Sequence, residues 1–203
     1  MVKTIKKKKL SKEEKRNLLK ILTYEKVNGK PIYYKDYKKV LKGELPPEAV
    51  MGSSELQAIL LILLATFLKE KLGKGFVVLG GEHGFIHAPN SFRSLDIAIY
   101  RKEVLKKPKD KYTRTPPLVV IEIGTKADLS KYGSFEEYVY EKTQDLLDAG
   151  VEKVIWYMSK VKKVLIAQKG KDWVVKDWNS DVEVLSDIKL NLVKLIKEEG
   201  IEV

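Results

Sequence analysis

The segment 117–123, Pro-Leu-Val-Val-Ile-Glu-Ile, sets the architecture that the rest of the chain must complete. Its apolar, largely β-branched run lies between Pro116 and Gly124, which is typical of a strand in a sheet covered on both faces. Glu122 interrupts the run, and an ionised carboxylate at such a position is costly unless a cation or hydrogen bonds compensate it. The segment therefore predicts a layered α/β protein with a charged group close to its core.

The segments on either side of this strand alternate between helical and strand periodicity. Their order through the core is α-β-β-β-α-β, which predicts a mixed central sheet flanked by helices. A capping box starts a helix at 11–22 and adds an N-terminal helical extension. The core and tail are predicted as a helix at 55–72, strands at 76–79, 95–100 and 118–123, a helix at 135–149, strands at 154–158, 161–167 and 173–175, and a closing helix at 188–199.

Positive charge is concentrated at the start of the chain. The 39 Lys and Arg residues exceed the 28 Asp and Glu residues by 11, and residues 1–20 contribute +7 of that excess, leaving about +4 for the rest. We expect a basic arm and helix at 1–22 followed by one domain at 23–203. Such an arm favours a polyanionic partner, although a solvated terminus would have the same composition. Because only four of the basic residues are Arg, contacts to DNA should be mainly to phosphate.

Composition also excludes several classes of protein. The chain has no cysteine, which removes disulfides, thiolate zinc sites and cysteine nucleophiles. The longest apolar run, at 58–68, is shorter than the roughly 20 residues of a membrane-spanning helix, and no secretory signal pattern opens the chain. We expect a cytoplasmic protein that does not enter a membrane, and the abundance of Lys and Glu is compatible with a thermophile.

Two carboxylates occur at the ends of successive predicted strands. Asp96 opens one strand and Glu122 nearly closes the next, so the two side chains converge if the strands are neighbours. With waters and the Ile123 carbonyl they would form an octahedral Mg²⁺ site, which Mn²⁺ could also occupy. The alternatives are a solvent-facing Asp96 and a Glu122 that is neutralised by a lysine such as Lys126 or Lys142.

The helix at 135–149 carries the lysine that best matches these carboxylates. Tyr138, Lys142 and Leu146 follow one another at four-residue spacing and share an otherwise apolar face. Lys142 is therefore predicted to point toward the sheet, where its charge could hold an attacking water and stabilise the charge developing on a phosphate. A salt bridge to Glu122 is the other role for this lysine, and the two roles are compatible when no metal is bound.

Four strings of residues resemble a known family. They are Leu-Asp-Ile-Ala-Ile at 95–99, the strand at 117–123, Glu-Lys at 141–142 and Ala-Gly-Val at 149–151. Their spacing resembles the Uma family of restriction-endonuclease-like proteins, part of the PD-(D/E)xK nuclease superfamily, and the resemblance runs over about 24–167. It implies a restriction-endonuclease-like core and Mg²⁺-dependent hydrolysis of phosphodiester bonds in DNA.

The resemblance also implies roles for individual residues. Asp96 and Glu122 match the metal-ligating acids of the superfamily, and Lys142 matches the family's lysine, which has moved from the strand to the following helix. Gly124 stands where the superfamily usually has its strand lysine. Catalysis would therefore depend on Lys142, or on Lys126, taking over that role.

The helix at 55–72 adds two further expectations. It is apolar on almost every side, so it must be covered either within the domain or by a second subunit, which favours a homodimer. Glu55, at its start, matches a position where many superfamily members supply an additional acid. A glutamate there is also favourable simply because it lies at a helix N-terminus.

These observations lead to one main hypothesis and one alternative. The main hypothesis is a Mg²⁺-dependent DNA endonuclease in which Asp96 and Glu122 hold the metal and Lys142 assists the water. The alternative is a catalytically inactive module that keeps the nuclease fold, binds DNA or another partner, and uses Lys142 only to neutralise Glu122.

Overall fold

The computed structural model of the protein describes residues 10–185 and 187–202. Its helices are α1 (Lys12–Ile21), α2 (Tyr37–Leu41), α3 (Glu48–Met51), α4 (Glu55–Leu72), α5 (Phe135–Asp148) and α6 (Leu192–Glu198). Its strands are β1 (Thr23–Val27), β2 (Lys30–Tyr33), β3 (Phe76–Ala88), β4 (Ser91–Arg101), β5 (Val119–Ile123), β6 (Lys153–Met158), β7 (Lys163–Gln168), β8 (Val174–Asp177), β9 (Val182–Leu185) and β10 (Ile188–Leu190).

A twisted sheet of eight strands organises the described part of the chain. Its order is β2-β1-β4-β5-β6-β7-β8, with β3 paired to the other edge of β4. Within it, β5 and β6 run parallel and the other pairs are antiparallel. The parallel step requires a crossover, and α5 supplies it. Because α4, β3, β4, β5, α5 and β6 follow one another along the chain, the predicted α-β-β-β-α-β order is confirmed.

The central strands are buried on both faces, as the apolar run at 117–123 predicts. All five residues of β5 are buried. Successive side chains point to opposite faces, so Ile121 joins the cluster that contains the buried leucines of α4, and Val120 joins the cluster that contains α5. Each fully buried valine or isoleucine side chain contributes roughly 1.5–3 kcal/mol to folding. The site described below lies on the α5 face.

Serine caps fix where the two flanking helices begin. The Ser54 side chain accepts a hydrogen bond from the backbone N–H of Gln57, which starts α4. The Ser134 side chain does the same for Glu137 at the start of α5. Each cap satisfies one backbone donor that a helix N-terminus leaves free. These caps determine which α4 and α5 side chains reach the sheet.

Helix α4 is covered within the domain along one stripe. Leu60, Leu64, Leu68 and Leu72 are buried, whereas Ile62 is 62% exposed on the opposite side. The helix that the sequence places at 55–72 is therefore confirmed, and most of its apolar surface packs on the sheet. No helix in the described ranges has both the length and the apolar character needed to cross a bilayer.

Two sequence predictions differ from the structure. The sequence predicts a strand that ends at residue 79, but β3 continues through the glycine-rich stretch at 80–84, where a register shift against β4 accommodates the extra residues. The predicted closing helix at 188–199 divides into β10 and α6, because β10 pairs with β9. Residues 23–33 form the β1–β2 hairpin around the Asn28-Gly29 turn. Residues 1–9 of the basic arm lie outside the described residues.

Candidate active site

The two carboxylates that the sequence singles out face each other across a strand pair. Strands β4 and β5 pair with Ile97 opposite Ile121, and the same register places Asp96 opposite Glu122. Both side chains lie on the α5 face, where Asp96 is 2% and Glu122 is 0% exposed. Like charges directly across a strand pair destabilise a sheet. The pair therefore needs positive charge or protons to compensate it.

Lys142 of α5 supplies positive charge between these strands. Its Nζ lies 2.9 Å from Oε2 of Glu122 and donates a 2.6 Å hydrogen bond to the carbonyl of Ser94. The side chain is fully buried. Three aromatic rings lie within 6.0 Å of the ammonium and stabilise it by cation–π contact; they belong to Tyr24, Tyr138 and Trp156. The orientation of Lys142 predicted from its helical spacing agrees with these contacts.

A second buried acid, Glu25 of β1, shares Lys142 with Glu122. Oε1 of Glu25 lies 3.0 Å from the Lys142 ammonium and accepts a hydrogen bond from the Ser94 backbone. Its other oxygen accepts hydrogen bonds from Arg93, at 2.8 Å, and from the Tyr138 hydroxyl, at 3.1 Å. Every polar atom of this carboxylate is therefore satisfied.

Arg93 completes the network on the side away from Glu122. Its fully buried guanidinium contacts Glu25, Glu141 at 2.7 Å and Asp145 at 2.5 Å. Planar, forked donors suit such multiple carboxylate contacts better than lysine does. We refer to Glu25, Arg93, Asp96, Glu122 and Lys142 together as the buried charge cluster.

Asp96 and Glu122 differ in how their oxygens are satisfied. Asp96 accepts a 2.7 Å hydrogen bond from the backbone N–H of Ile123 and longer ones, at 3.3 and 3.4 Å, from the Gln57 amide. Oε1 of Glu122 accepts no hydrogen bond from the described residues, whereas Oε2 lies 2.9 Å from the Lys142 ammonium. Oε1 thus has lone pairs free for a further cation.

The charges within the cluster shift the pKa values in opposite directions. Burial raises the pKa of Asp96, and it raises that of Glu122 well above its ordinary value despite the opposing charge of Lys142. Burial would also raise the pKa of Glu25, but the charges of Lys142 and Arg93 outweigh it and lower that pKa. Burial alone would lower the pKa of Lys142, yet the two glutamates raise it. Lys142 therefore keeps its proton.

The donor set fits a hard divalent cation held with few protein ligands. Within the described ranges, no three Asp, Glu or His side chains come together in a way that could hold a metal ion. Mg²⁺, however, often takes only one or two carboxylates and keeps several waters. Oε1 of Glu122 and the neighbouring Asp96 carboxylate meet that requirement, and an ion there would compensate two carboxylates that burial makes hard to ionise.

The remaining predicted residues lie at or beyond the edge of the cluster. The Ile123 peptide lies beside Asp96, because its N–H binds that carboxylate. Lys126 pairs with Glu82 and donates to the carbonyl of Met51 at 3.3 Å. Glu55 is exposed at the start of α4, and no described residue forms a hydrogen bond or ion pair with its carboxylate. The side chain of α4 that reaches Asp96 is Gln57 instead.

Sequence reasoning missed Glu25, Arg93 and Gln57. Arg93 carried a partial signal as one of only four Arg residues among 39 basic ones, but it precedes the strand predicted at 95–100 and lies near the start of β4. Glu25 had a weaker signal, since it sits in a short strand before an Asn-Gly turn. Gln57 had none, because its role depends on how α4 docks on the sheet.

A cleft of about 790 Å³ opens next to the cluster, and we call it the lysine cleft. Gln57 and Ile123, the two residues that bind Asp96, form part of its wall. It lies where β5 and β6 end, between α2 and the β6–β7 turn. The charged residues that line it are Lys35, Asp36, Lys38, Lys39, Lys42, Asp128, Glu136 and Lys160. Asp96 and Glu122 do not line the cleft themselves and are buried behind this part of its wall.

Comparison with known proteins defines the fold class. No protein-family model matches the chain, and no curated protein sequence does. The structure is similar to the crystal structure of a "putative nuclease belonging to DUF820" from Anabaena variabilis, with a TM-score of 0.52 over 70% of this chain and 78% of that one, at 15% identity. The protein is therefore a mixed α/β protein with a restriction-endonuclease-like core.

Proposed function

We propose that the protein is a Mg²⁺-dependent nuclease that hydrolyses phosphodiester bonds in DNA. The observation that carries this proposal is the facing pair Asp96 and Glu122, buried behind Gln57 and Ile123 in the wall of the lysine cleft. Oε1 of Glu122 has no hydrogen-bond donor among the described residues, and Oε2 contacts the Lys142 ammonium. Strongly perturbed carboxylates in a cleft are typical of catalytic or metal-binding sites. The similarity in fold to the Anabaena protein supports the nuclease class.

Asp96 and Glu122 would hold the ion, with the Ile123 carbonyl as a third oxygen, and Mn²⁺ could replace Mg²⁺. When bound, the ion supplies a Lewis acid for the phosphate and lowers the pKa of a water. Ile123 and Gln57 orient the Asp96 carboxylate through their hydrogen bonds, so its geometry is fixed before any ligand arrives. Such preorganisation is what a metal-dependent phosphodiesterase requires.

Lys142 would act as a fixed positive charge and would not act as a base. Its ammonium keeps its proton, so it can orient the attacking water and stabilise the charge that develops on the phosphate. Glu25 holds the ammonium at 3.0 Å and continues to do so when Glu122 turns to a metal. Lys142 on α5 would thus replace the lysine that the superfamily usually has in the strand, where this chain has Gly124. Lys126 also lies close enough to Asp96 to lower its pKa and could take the same role.

The same proposal includes two contacts outside the cluster. The basic arm at 1–22 and the lysine-rich loop at 101–115 would bind DNA phosphates. The affinity for DNA would then fall as the salt concentration rises. The exposed side of α4 around Ile62 would form a homodimer interface. A dimer would bring two sites to one substrate.

A catalytically inactive module is the second candidate, and one observation favours it. Lys142 lies 2.9 Å from Glu122, so the cluster compensates much of its own charge through its own side chains. In that protein the nuclease fold would serve only to bind DNA or another partner. The Glu122–Lys142 pair would then be a structural feature.

Cleavage of supercoiled and linear DNA with Mg²⁺ or Mn²⁺ distinguishes the two candidates. We expect the wild-type protein to nick DNA only with metal, and we expect Asp96→Asn, Glu122→Gln and Lys142→Met each to abolish nicking. Glu70→Gln, an exposed acid near the far end of α4, is the matched control and should keep full activity. A folded wild-type protein that binds DNA, binds no Mn²⁺ and cleaves no substrate would establish the inactive module.

A further inference from the structure

The lysine cleft carries an excess of exposed positive charge beside the carboxylates. Among the described residues, five lysines and three acids line it. Four of the lysines belong to one short segment around α2, and Lys160 faces them from the β6–β7 turn. Asp36 pairs with Lys39 at 3.0 Å, but both side chains are largely exposed, so the pair is weak and Lys39 can exchange partners.

The wall between the two sets of lysines is apolar. It is formed by side chains that are partly exposed within the cleft, with Val161 the most open at 61% exposure. These side chains are Leu56, Leu129, Phe135, Met158 and Val161. A surface of this kind, with cations at its margins and an apolar middle, matches a ligand that has anionic groups along its length and a flat apolar face.

The α2 segment is held rigidly against the loop that follows β5. The N–H of Lys35 donates to the carbonyl of Lys126, and the N–H of Asp128 donates to the carbonyl of Tyr33. A bridge between Tyr34 and Ala127 lies between these bonds. The same loop leads back to Glu122 through β5. The lysines of α2 are therefore fixed in position relative to the carboxylates before a ligand binds.

We propose that the lysine cleft binds a single strand of DNA, with phosphates on the lysines and a base against the apolar wall. This inference rests on the proposed nuclease function and specifies its substrate as unpaired DNA. Proteins that bind single strands combine a positive groove for the backbone with apolar or aromatic surfaces for the bases. Both components line this one cleft.

The size of the cleft argues against a duplex inside it. At about 790 Å³ it falls in the roughly 300–1,000 Å³ range of pockets that enclose compact ligands. A nucleotide unit fits such a space, whereas a double helix does not. In a duplex the faces of the bases are also stacked and cannot reach the apolar wall unless a nucleotide is flipped out.

Binding without catalysis tests the inference. We would measure fluorescence anisotropy of a labelled thymidine oligonucleotide and of a duplex of the same length, with EDTA present so that no DNA is cut. The wild-type protein should bind the single strand about tenfold more tightly than the duplex, the effect of one base contact. Changing Lys38, Lys39 and Lys42 together to alanine should remove this preference. It should also lower the slope of log affinity against log salt by about 2, at about 0.7 for each lost contact.

A triple change elsewhere provides the matched control. Lys69, Lys71 and Lys74 are exposed around the C-terminal end of α4, about 27 Å along the helix from its start beside the cleft. Their change to alanine removes the same charge and should leave the preference for single strands intact. An equal loss of binding in both triple variants would show that only net charge matters and would overturn the inference.

The outcomes separate this inference from the proposed function. Equal or tighter binding of the duplex by wild-type protein would overturn the single-strand cleft, even if metal-dependent cleavage of duplex DNA succeeds. If the protein prefers single strands through the cleft lysines but cleaves no DNA, the single-strand cleft is supported and the proposed nuclease function is overturned. Val161→Asp tests the apolar wall independently and should weaken binding of the single strand. Val175→Asp, on the edge strand β8, is its control and should leave that binding unchanged.

Discussion

The buried charge cluster and the lysine cleft use the same kind of side chain in opposite ways. Lys142 is fully buried, and two carboxylates and a carbonyl fix its ammonium. Lys38 and Lys42 are exposed, and their charges are left for a ligand. In the cluster, the attraction between lysine and carboxylates stabilises the folded protein. In the cleft, the lysine charges are available to a ligand. Changes in the cluster should therefore affect stability, and changes in the cleft should affect binding.

Replacing the buried lysine should have the largest effect on stability. Lys142→Met leaves Glu122 without its cation and Glu25 with Arg93 alone, and breaking a buried pair in this way costs about 3–5 kcal/mol. Lys39→Met removes an exposed lysine from its pair with Asp36 and should cost less than about 1 kcal/mol. Urea unfolding of the two variants gives both free energies. Equal losses would mean that burial does not distinguish the two regions.

Two of the three acids of the cluster, Glu25 and Asp96, should respond to pH with opposite signs. The pKa of Glu25 is lowered by folding, so its ionised form stabilises the protein above its ordinary pKa, and this stabilisation is lost as pH falls toward the lowered value. Glu25→Gln should therefore be most destabilising near neutral pH, by about 3–5 kcal/mol, and less so in acid.

Asp96 has a raised pKa, so the folded protein favours its protonated form. Its unfavourable contribution is absent below the ordinary aspartate pKa and grows as pH rises toward the raised value. Asp96→Asn should accordingly gain stability relative to the metal-free wild type across that interval. Urea midpoints measured from acid to neutral pH would show the two opposite trends, and parallel trends would contradict the assigned pKa shifts.

Divalent metal should stabilise the cluster and leave the cleft unaffected. At Mn²⁺ or Mg²⁺ concentrations of 100 times Kd, binding adds about 2.7 kcal/mol to the free energy of unfolding. Glu122→Gln should abolish the corresponding rise in Tm, whereas the triple alanine variant of Lys38, Lys39 and Lys42 should retain it. A Tm that rises equally in Glu122→Gln would place the metal somewhere else.

The cleft lysines should have the smallest effect on stability. The triple change at Lys38, Lys39 and Lys42 affects exposed side chains and should alter the free energy of unfolding by no more than about 0.5 kcal/mol per site. Thermal unfolding of the variant checks this directly. A large loss of stability would show that these lysines hold α2 in place, and their charges would then not be reserved for a ligand.

The sequence was sufficient to predict the elements that carry local periodicity. The strands β4 and β5, the helices α4 and α5 and the inward face of α5 all have clear patterns. Asp96 lies on β4, Glu122 on β5 and Lys142 on α5. Their proximity followed from one assumption, that β4 and β5 are neighbours. The structure confirms that pairing, and the metal and the catalytic roles stay predictions.

The parts that could not be predicted depend on contacts between distant segments. Glu25 and Arg93 are 68 residues apart, and nothing in either local sequence specifies the other. The lysine cleft likewise appears only when α2 docks on the loop after β5. Periodicity describes which face of an element is buried, but it does not specify which polar side chains meet there.

The buried charge cluster also has a consequence for synthesis of the chain. The hydroxyl of Tyr138 meets Glu25 across 113 residues, and Lys142 reaches Ser94 across 48. Chains grow from the N-terminus and pair distant segments slowly. A ribosome-bound fragment that ends before α5 would hold Asp96 and Glu122 without their lysine. The complete charge cluster would therefore exist only after most of the domain has been synthesised, so the DNA cleavage proposed above would be delayed until folding is nearly finished.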